Sequence, residues 1–95
     1  MTELFVEVCY GDHLQTFTVN GDLEGALLSA LTFIANESRE PQEFKVMRDA
    51  GRYRNPVIPH TVIGWAAAET WQRGKGIDDY TLRFVASGIA RMVSD

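Results

Sequence analysis

The sequence predicts an α+β fold, an antiparallel sheet of three to four strands packed with three helices in the order β-β-α-β-β-α-α. Three observations lead to this prediction. Residues 3–19 alternate between apolar and polar around a tight turn, residues 23–36 carry a broad apolar arc at helical spacing, and two helical patterns end the chain. We expect the 95 residues to form one domain, 1–95, because a chain of this length has room for a single core.

The first two strands are predicted over Glu3–Tyr10 and Leu14–Val19, joined by a two-residue turn at Gly11-Asp12. This turn pairs Tyr10 with His13 and places the large apolar residues of both strands on one face, and a shift by one residue would spoil the match. The side chains of the first strand on that face are Leu4, Val6, Val8 and Tyr10. The outer face carries Glu3, Phe5, Glu7 and Cys9.

A helix is predicted from the N-cap residue Asp22 to about Asn36. Its apolar arc is the widest in the chain, so we expect Leu27, Leu31 and Ile34 to form the centre of the core.

The third strand is predicted over Glu43–Met47, followed by a turn at Asp49-Ala50-Gly51. A short fourth strand within Arg52–Ile58 is expected at a sheet edge, since Pro56 cannot donate a ladder hydrogen bond.

Two helices complete the chain. Pro59 and Gly74 bound a helix over His60–Arg73, and Asp78 can cap a final helix from Asp79 to about Val93. The expected core positions are Val62, Ile63, Ala66, Ala67 and Trp71 in the first of these helices, and Leu82, Val85, Ala86, Ile89, Met92 and Val93 in the second.

Composition limits the class of protein. With 45% hydrophobic residues the chain has the make-up of a folded domain, no apolar run approaches the roughly 18 residues of a membrane span, and the N-terminus lacks the pattern of a signal peptide. A single cysteine agrees with a reducing compartment, so we expect a cytoplasmic protein.

Charge is divided unevenly along the chain. Residues 1–43 hold eight acids and one base, a net charge of −7, whereas residues 44–95 have a net charge of +3. This polarity can steer a charged partner, unless the two parts neutralise each other in the folded domain.

Residues for catalysis are few. Cys9 and His13 flank the predicted turn but face opposite sides of the hairpin, and His13 lies far from His60 in the sequence. We therefore predict no enzyme activity, no cofactor and no metal site.

Aromatic residues in unexpected positions indicate a binding surface instead. Trp65 lies about 120° from Trp71 on its helix, and Tyr80 and Phe84 lie opposite the apolar stripe of the last helix, beside Arg91. Aromatic and arginine residues dominate binding hot spots. The two C-terminal helices could also bury these rings against each other, or a homodimer or a foreign partner could cover them.

A second candidate surface is basic. Arg48, Arg52, Tyr53 and Arg54 crowd around one predicted hairpin, a pattern able to grip a phosphate backbone and stack on a base. The acidic isoelectric point near 5.0 weighs against nucleic acid, and a solvated hairpin tip or a protein contact are alternatives.

We predict a non-enzymatic protein that binds another protein or nucleoprotein complex, with Phe5 as an anchor between Glu3 and Glu7. In length, acidity and its hairpin-then-helix opening the chain resembles the compact accessory proteins of bacterial viruses, anti-CRISPR inhibitors among them, a likeness of general build. That resemblance implies blockade of a basic nucleic-acid-binding surface of a host complex, met by acids that include Glu37, Glu40 and Glu43. The alternative is a small homodimeric regulatory protein that contacts nucleic acid through the Arg48–Arg54 hairpin.

Overall fold

The computed structural model describes residues 3–19, 22–50, 53–56 and 60–94. It contains the strands β1 (Glu3–Tyr10), β2 (His13–Thr18), β3 (Glu43–Ala50) and β4 (Tyr53–Pro56), the helices α1 (Leu23–Asn36), α2 (His60–Arg73) and α3 (Asp79–Ser94), and a 3₁₀ turn at Gly74–Gly76. The strands form one antiparallel sheet in the order β2-β1-β3-β4. The predicted α+β class, element order and edge position of the fourth strand are confirmed.

The register of the first hairpin is the predicted one. Tyr10 pairs with His13, and the pairing continues along both strands to Val6 and Phe17. The Val19 amide then donates to the Leu4 carbonyl at 3.3 Å. The two-residue turn therefore sets which side chains of β1 enter the core.

Helix α1 lies at the centre of the molecule. It contacts β1 and β2 on one side and α3 on another, and α2 packs against both α1 and β3. The side chains of Leu27, Leu31 and Ile34 are fully buried, as predicted. Because α1 touches sheet and helices alike, its apolar arc holds the layers together.

The helix ends use the expected residues. The Asp22 carboxylate accepts a hydrogen bond from the Gly25 amide at 3.1 Å, and the Asp78 carboxylate accepts one from the Thr81 amide at 2.7 Å. Gly74 has φ of 63°, a left-handed conformation that glycine adopts without strain, and it ends α2.

Some predicted boundaries and core positions are wrong. Strand β3 continues through Asp49 and Ala50, which pair with Arg54 and Tyr53 instead of forming a turn. Met92 is exposed, although it was expected in the core stripe of α3.

Thr70 was not expected in the core, yet it is buried. The core tolerates its hydroxyl because the hydroxyl donates to the Ala66 carbonyl at 2.9 Å and so has a partner. The predicted core side chains of Val62 and Ile63 lie outside the described side chains.

Within the described ranges, no helix has the length and apolar character required to cross a membrane.

Candidate protein-interaction surface

The outward face of α3, defined here as Tyr80, Phe84, Gly88 and Arg91, points away from the core. Leu82, Ala86 and Ile89 on the opposite side are buried. Tyr80 is 78% exposed and Phe84 is 71% exposed. Successive positions four residues apart are offset by only about 40° on a helix, so Tyr80, Phe84 and Gly88 form one continuous ridge.

Gly88 is not explained by the packing of a single chain. A Cβ atom added there would meet no heavy atom within 4 Å, and the only described glycine with positive φ is Gly74. Glycine inside a helix costs about 0.5–1 kcal/mol relative to alanine. The missing side chain therefore leaves a gap beside Phe84 that the isolated fold does not require.

Trp65 on α2 is 75% exposed, so neither helix buries its unexpected aromatic residues in the structure. Helix α3 packs mainly on α1 and makes few contacts with α2. The alternative in which the two C-terminal helices bury Trp65, Tyr80 and Phe84 against each other does not occur in the described structure.

Carboxylates gather around Arg83 near the start of α3. Asp22, Glu24 and Arg83 line a shallow depression of about 240 Å³ together with Gly25 and Leu28. Arg83 Nε donates to the Asp79 carboxylate at 2.6 Å. This hydrogen bond, with a smaller contribution from Glu24, raises the pKa of Arg83.

We call this region the acidic end, defined by Asp22, Glu24, Asp78, Asp79 and Arg83. Its four acids and Arg83, together with the neighbouring Arg73, have a net charge of −2. The only described base on the outward face itself is Arg91, almost at the other end of α3.

The prediction that Phe5 on the outer face of β1 is an exposed anchor is wrong. Phe5 is 7% exposed and Glu7 is 6% exposed. They lie on the predicted face, but β1 has neighbours on both sides, and Phe5 pairs with Thr18 and Met47 in the sheet register. A central strand is shielded by the side chains of both neighbours, so neither residue can serve as an exposed contact. The side chain of Glu3 lies outside the described part of the chain.

Lys45 lies at the centre of this outer face. It forms an ion pair with Glu43 and stands opposite Glu7 in the sheet register. Hydrogen bonding to Glu43, with a smaller contribution from Glu7, raises the pKa of Lys45. The acids of the outer face therefore stabilise a cation of the same chain.

Cys9 and His13 lie in the predicted register, with Cys9 paired to Leu14 and His13 to Tyr10, on opposite faces. Burial, followed by the charge of Glu43, raises the pKa of the Cys9 thiol and disfavours the thiolate form. In the described ranges, no three residues among His, Cys, Asp and Glu come together as a metal-binding group.

A polar cluster at the hairpin turn was missed by the sequence analysis. Asp12 accepts hydrogen bonds from Arg39 at 2.8 Å and from His13 Nδ1 at 3.1 Å. The Tyr10 ring stacks with the His13 ring, at 5.2 Å between centroids, and also contacts the Arg39 guanidinium, 5.4 Å from its centre. Arg39 lies 27 residues from Asp12 in the sequence, and no local pattern indicates the contact. The cluster ties the hairpin to the loop that follows α1.

The cluster gives a test in acid. Hydrogen bonds from Arg39 and His13 lower the pKa of Asp12 from 3.8 to about 2. A carboxylate with a lowered pKa in the folded state stabilises the fold above its ordinary pKa, and this contribution is lost as the pH falls through the folded value. We expect the gap in unfolding free energy between wild type and Asp12→Asn to be constant above about pH 5 and to close between about pH 4 and pH 2.

Urea denaturation at a series of pH values measures this gap. Arg39→Gln removes the larger cause of the shift and should flatten the same pH dependence. If the free energies of unfolding of wild type and Asp12→Asn differ by the same amount at every pH down to 2, the ion pair between Asp12 and Arg39 is contradicted.

The basic hairpin is described only in part. Arg48 lies on β3 and is exposed. Tyr53 and Arg54 belong to β4, but the side chains of these two residues, and all of Arg52, lie outside the described part of the chain. Contact with nucleic acid through the Arg48–Arg54 hairpin therefore stays a prediction.

Comparisons with models of known protein families, with curated proteins and with solved structures found no match to this chain.

Proposed function

We propose that this protein acts by binding another protein, without catalysis, and that the outward face of α3 is its contact surface. The observation that supports this most directly is the exposure of Tyr80 and Phe84, one turn apart on the side of α3 opposite the core. Two large rings left in water forgo the stabilisation that burial provides, roughly 25 cal/mol for each Å² of apolar surface. A partner protein that covers the two rings recovers this stabilisation, and Arg91 supplies a charged contact on the same face.

The acidic end indicates the chemistry of a foreign partner. A net charge of −2 beside Tyr80 favours a protein with a basic surface, through attraction that acts over about 8 Å at physiological ionic strength. More specifically, we propose that the protein is an inhibitor that covers a basic nucleic-acid-binding surface of a host complex. Aromatic contacts would then supply affinity, and the carboxylates would speed association.

Parallel capture from extracts of the source cells tests the proposal. We expect immobilised wild type to retain a basic protein that Phe84→Ser fails to retain. Leu14→Ser is the matched control, because Leu14 is also exposed, at 48%, but lies on β2 away from α3. A captured protein that Phe84→Ser retains unchanged would contradict the assignment of the surface.

Association kinetics with the captured protein test the charge. Glu24→Lys at the acidic end should slow association at low salt, and the difference should fade between about 50 and 300 mM salt as screening increases. Glu40→Lys makes the same change of charge on an exposed loop elsewhere and should change the rate less. Equal effects of the two variants would contradict a role for the acidic end.

A further inference from the structure

We infer that the outward face of α3 pairs with the same face of a second copy of this chain, with the two α3 helices antiparallel. This inference rests on the proposed function only in taking α3 as the contact surface, and a foreign partner that binds this face displaces the second copy. A two-fold axis at the level of Ala86 brings Phe84 of one copy to Gly88 of the other, and Tyr80 to Met92. Each contact occurs twice, as in the isologous interfaces of two-fold dimers.

The shape of the face fits this arrangement. Phe84 projects from the helix, and Gly88, one turn further along, leaves open space where its side chain would be. In an antiparallel pair the ring of each copy lies over the gap of the other. Helices that cross at about 20°, as in most four-helix bundles, stay close along their length, so Tyr80 can reach Met92, and a glycine at the contact permits close approach. The arrangement thus gives Gly88 the purpose that the single chain does not provide.

Charge favours the same orientation. The acidic end lies at the start of α3, and Arg91 lies in its last turn. Antiparallel pairing brings Arg91 of each copy toward the acidic end of the other. Parallel pairing would bring the two acidic ends together and is therefore disfavoured by repulsion.

The area of the contact limits its strength. Helix α3 has 16 residues and is about 24 Å long, so a contact made by this helix alone lies at the low end of interface sizes. We expect reversible dimers with a dissociation constant in the micromolar range.

Sedimentation across a range of protein concentrations measures this equilibrium. Phe84→Ser and Gly88→Leu should each raise the dimer dissociation constant by at least about 30-fold, the effect expected of a hot-spot residue. Gly64→Leu is the matched control. Gly64 is also inside a helix, and a Cβ atom added there meets nothing within 4 Å, but it lies on α2. Circular dichroism should show all three variants folded.

Disulfide formation tests the orientation. In a Cys9→Ser background, a mixture of Tyr80→Cys and Met92→Cys chains should form the mixed disulfide in preference to either homodimer. Preferential linkage between two Tyr80→Cys chains would indicate parallel helices and overturn the inference.

The remaining outcomes separate this inference from the proposed function. A wild type that stays monomeric at high concentration overturns the dimer, and the proposed function survives if Phe84→Ser still abolishes capture of a foreign protein. A dimer that neither Phe84→Ser nor Gly88→Leu weakens also overturns the inference, because another surface must then hold it.

Discussion

Replacing Leu27 by alanine lowers the free energy of unfolding by about 2–5 kcal/mol, the range for large-to-small changes in a packed core. Leu27 is fully buried and lies on α1, which contacts the sheet on one side and α3 on another. The substitution therefore removes apolar contacts between layers and leaves a cavity that neither neighbour can fill without moving. Small domains have only about 5–15 kcal/mol of stability in total, so the loss is a large share.

Urea denaturation checks this result: the midpoint of the unfolding transition should fall, and the dependence of the unfolding free energy on urea should stay unchanged. Leu14→Ala is the matched control, because the same side chain is removed from a site that is 48% exposed. A Leu27→Ala midpoint close to that of wild type would show that α1 is peripheral to the core.

Charge reversal at Glu7 is expected to destabilise the fold by about 3–5 kcal/mol, as when a buried charge loses its partner. Glu7 is 6% exposed and stands opposite Lys45 in the sheet register. Glu7→Lys would place two ammonium groups near each other on the shielded face of the central strand. Lys45 is partly exposed, but a lysine at the buried position 7 could not turn to water without disturbing the sheet.

Two variants make this test specific. Glu7→Gln keeps the size of the side chain and removes only its charge, so we expect a smaller loss than for Glu7→Lys. Glu40→Lys makes the same reversal at an exposed loop position outside any helix and should leave stability within about 0.5 kcal/mol. A Glu7→Lys protein as stable as wild type would mean that the carboxylate faces solvent.

Much of the candidate surface could be predicted from local patterns. Tyr80 and Phe84 lie opposite the apolar stripe of their helix, and helical periodicity alone places them outward. Whether the two rings are exposed also depends on the neighbouring elements, because another helix could have covered them. Only the packing of α3 on α1 shows that these rings stay open to water.

Phe5 and Glu7 show the opposite case. Alternation assigned them to the outer face of β1, and the register agrees. Alternation does not say whether a strand is central or at an edge, however, and β1 lies between β2 and β3. That position, set by pairing with a strand more than thirty residues away, buries both side chains.

The sequence by itself determined the number and order of the elements, the register of the first hairpin and the helix ends at Asp22, Gly74 and Asp78. Each of these depends on interactions among residues close in the chain: a two-residue turn, a carboxylate that caps a nearby amide, a glycine with positive φ. The tertiary structure alone decided the strand order, the contact of Asp12 with Arg39 and the gathering of Asp22 and Glu24 near Arg83. A periodic pattern records which side of an element faces inward, but it holds no information about which element lies on that side.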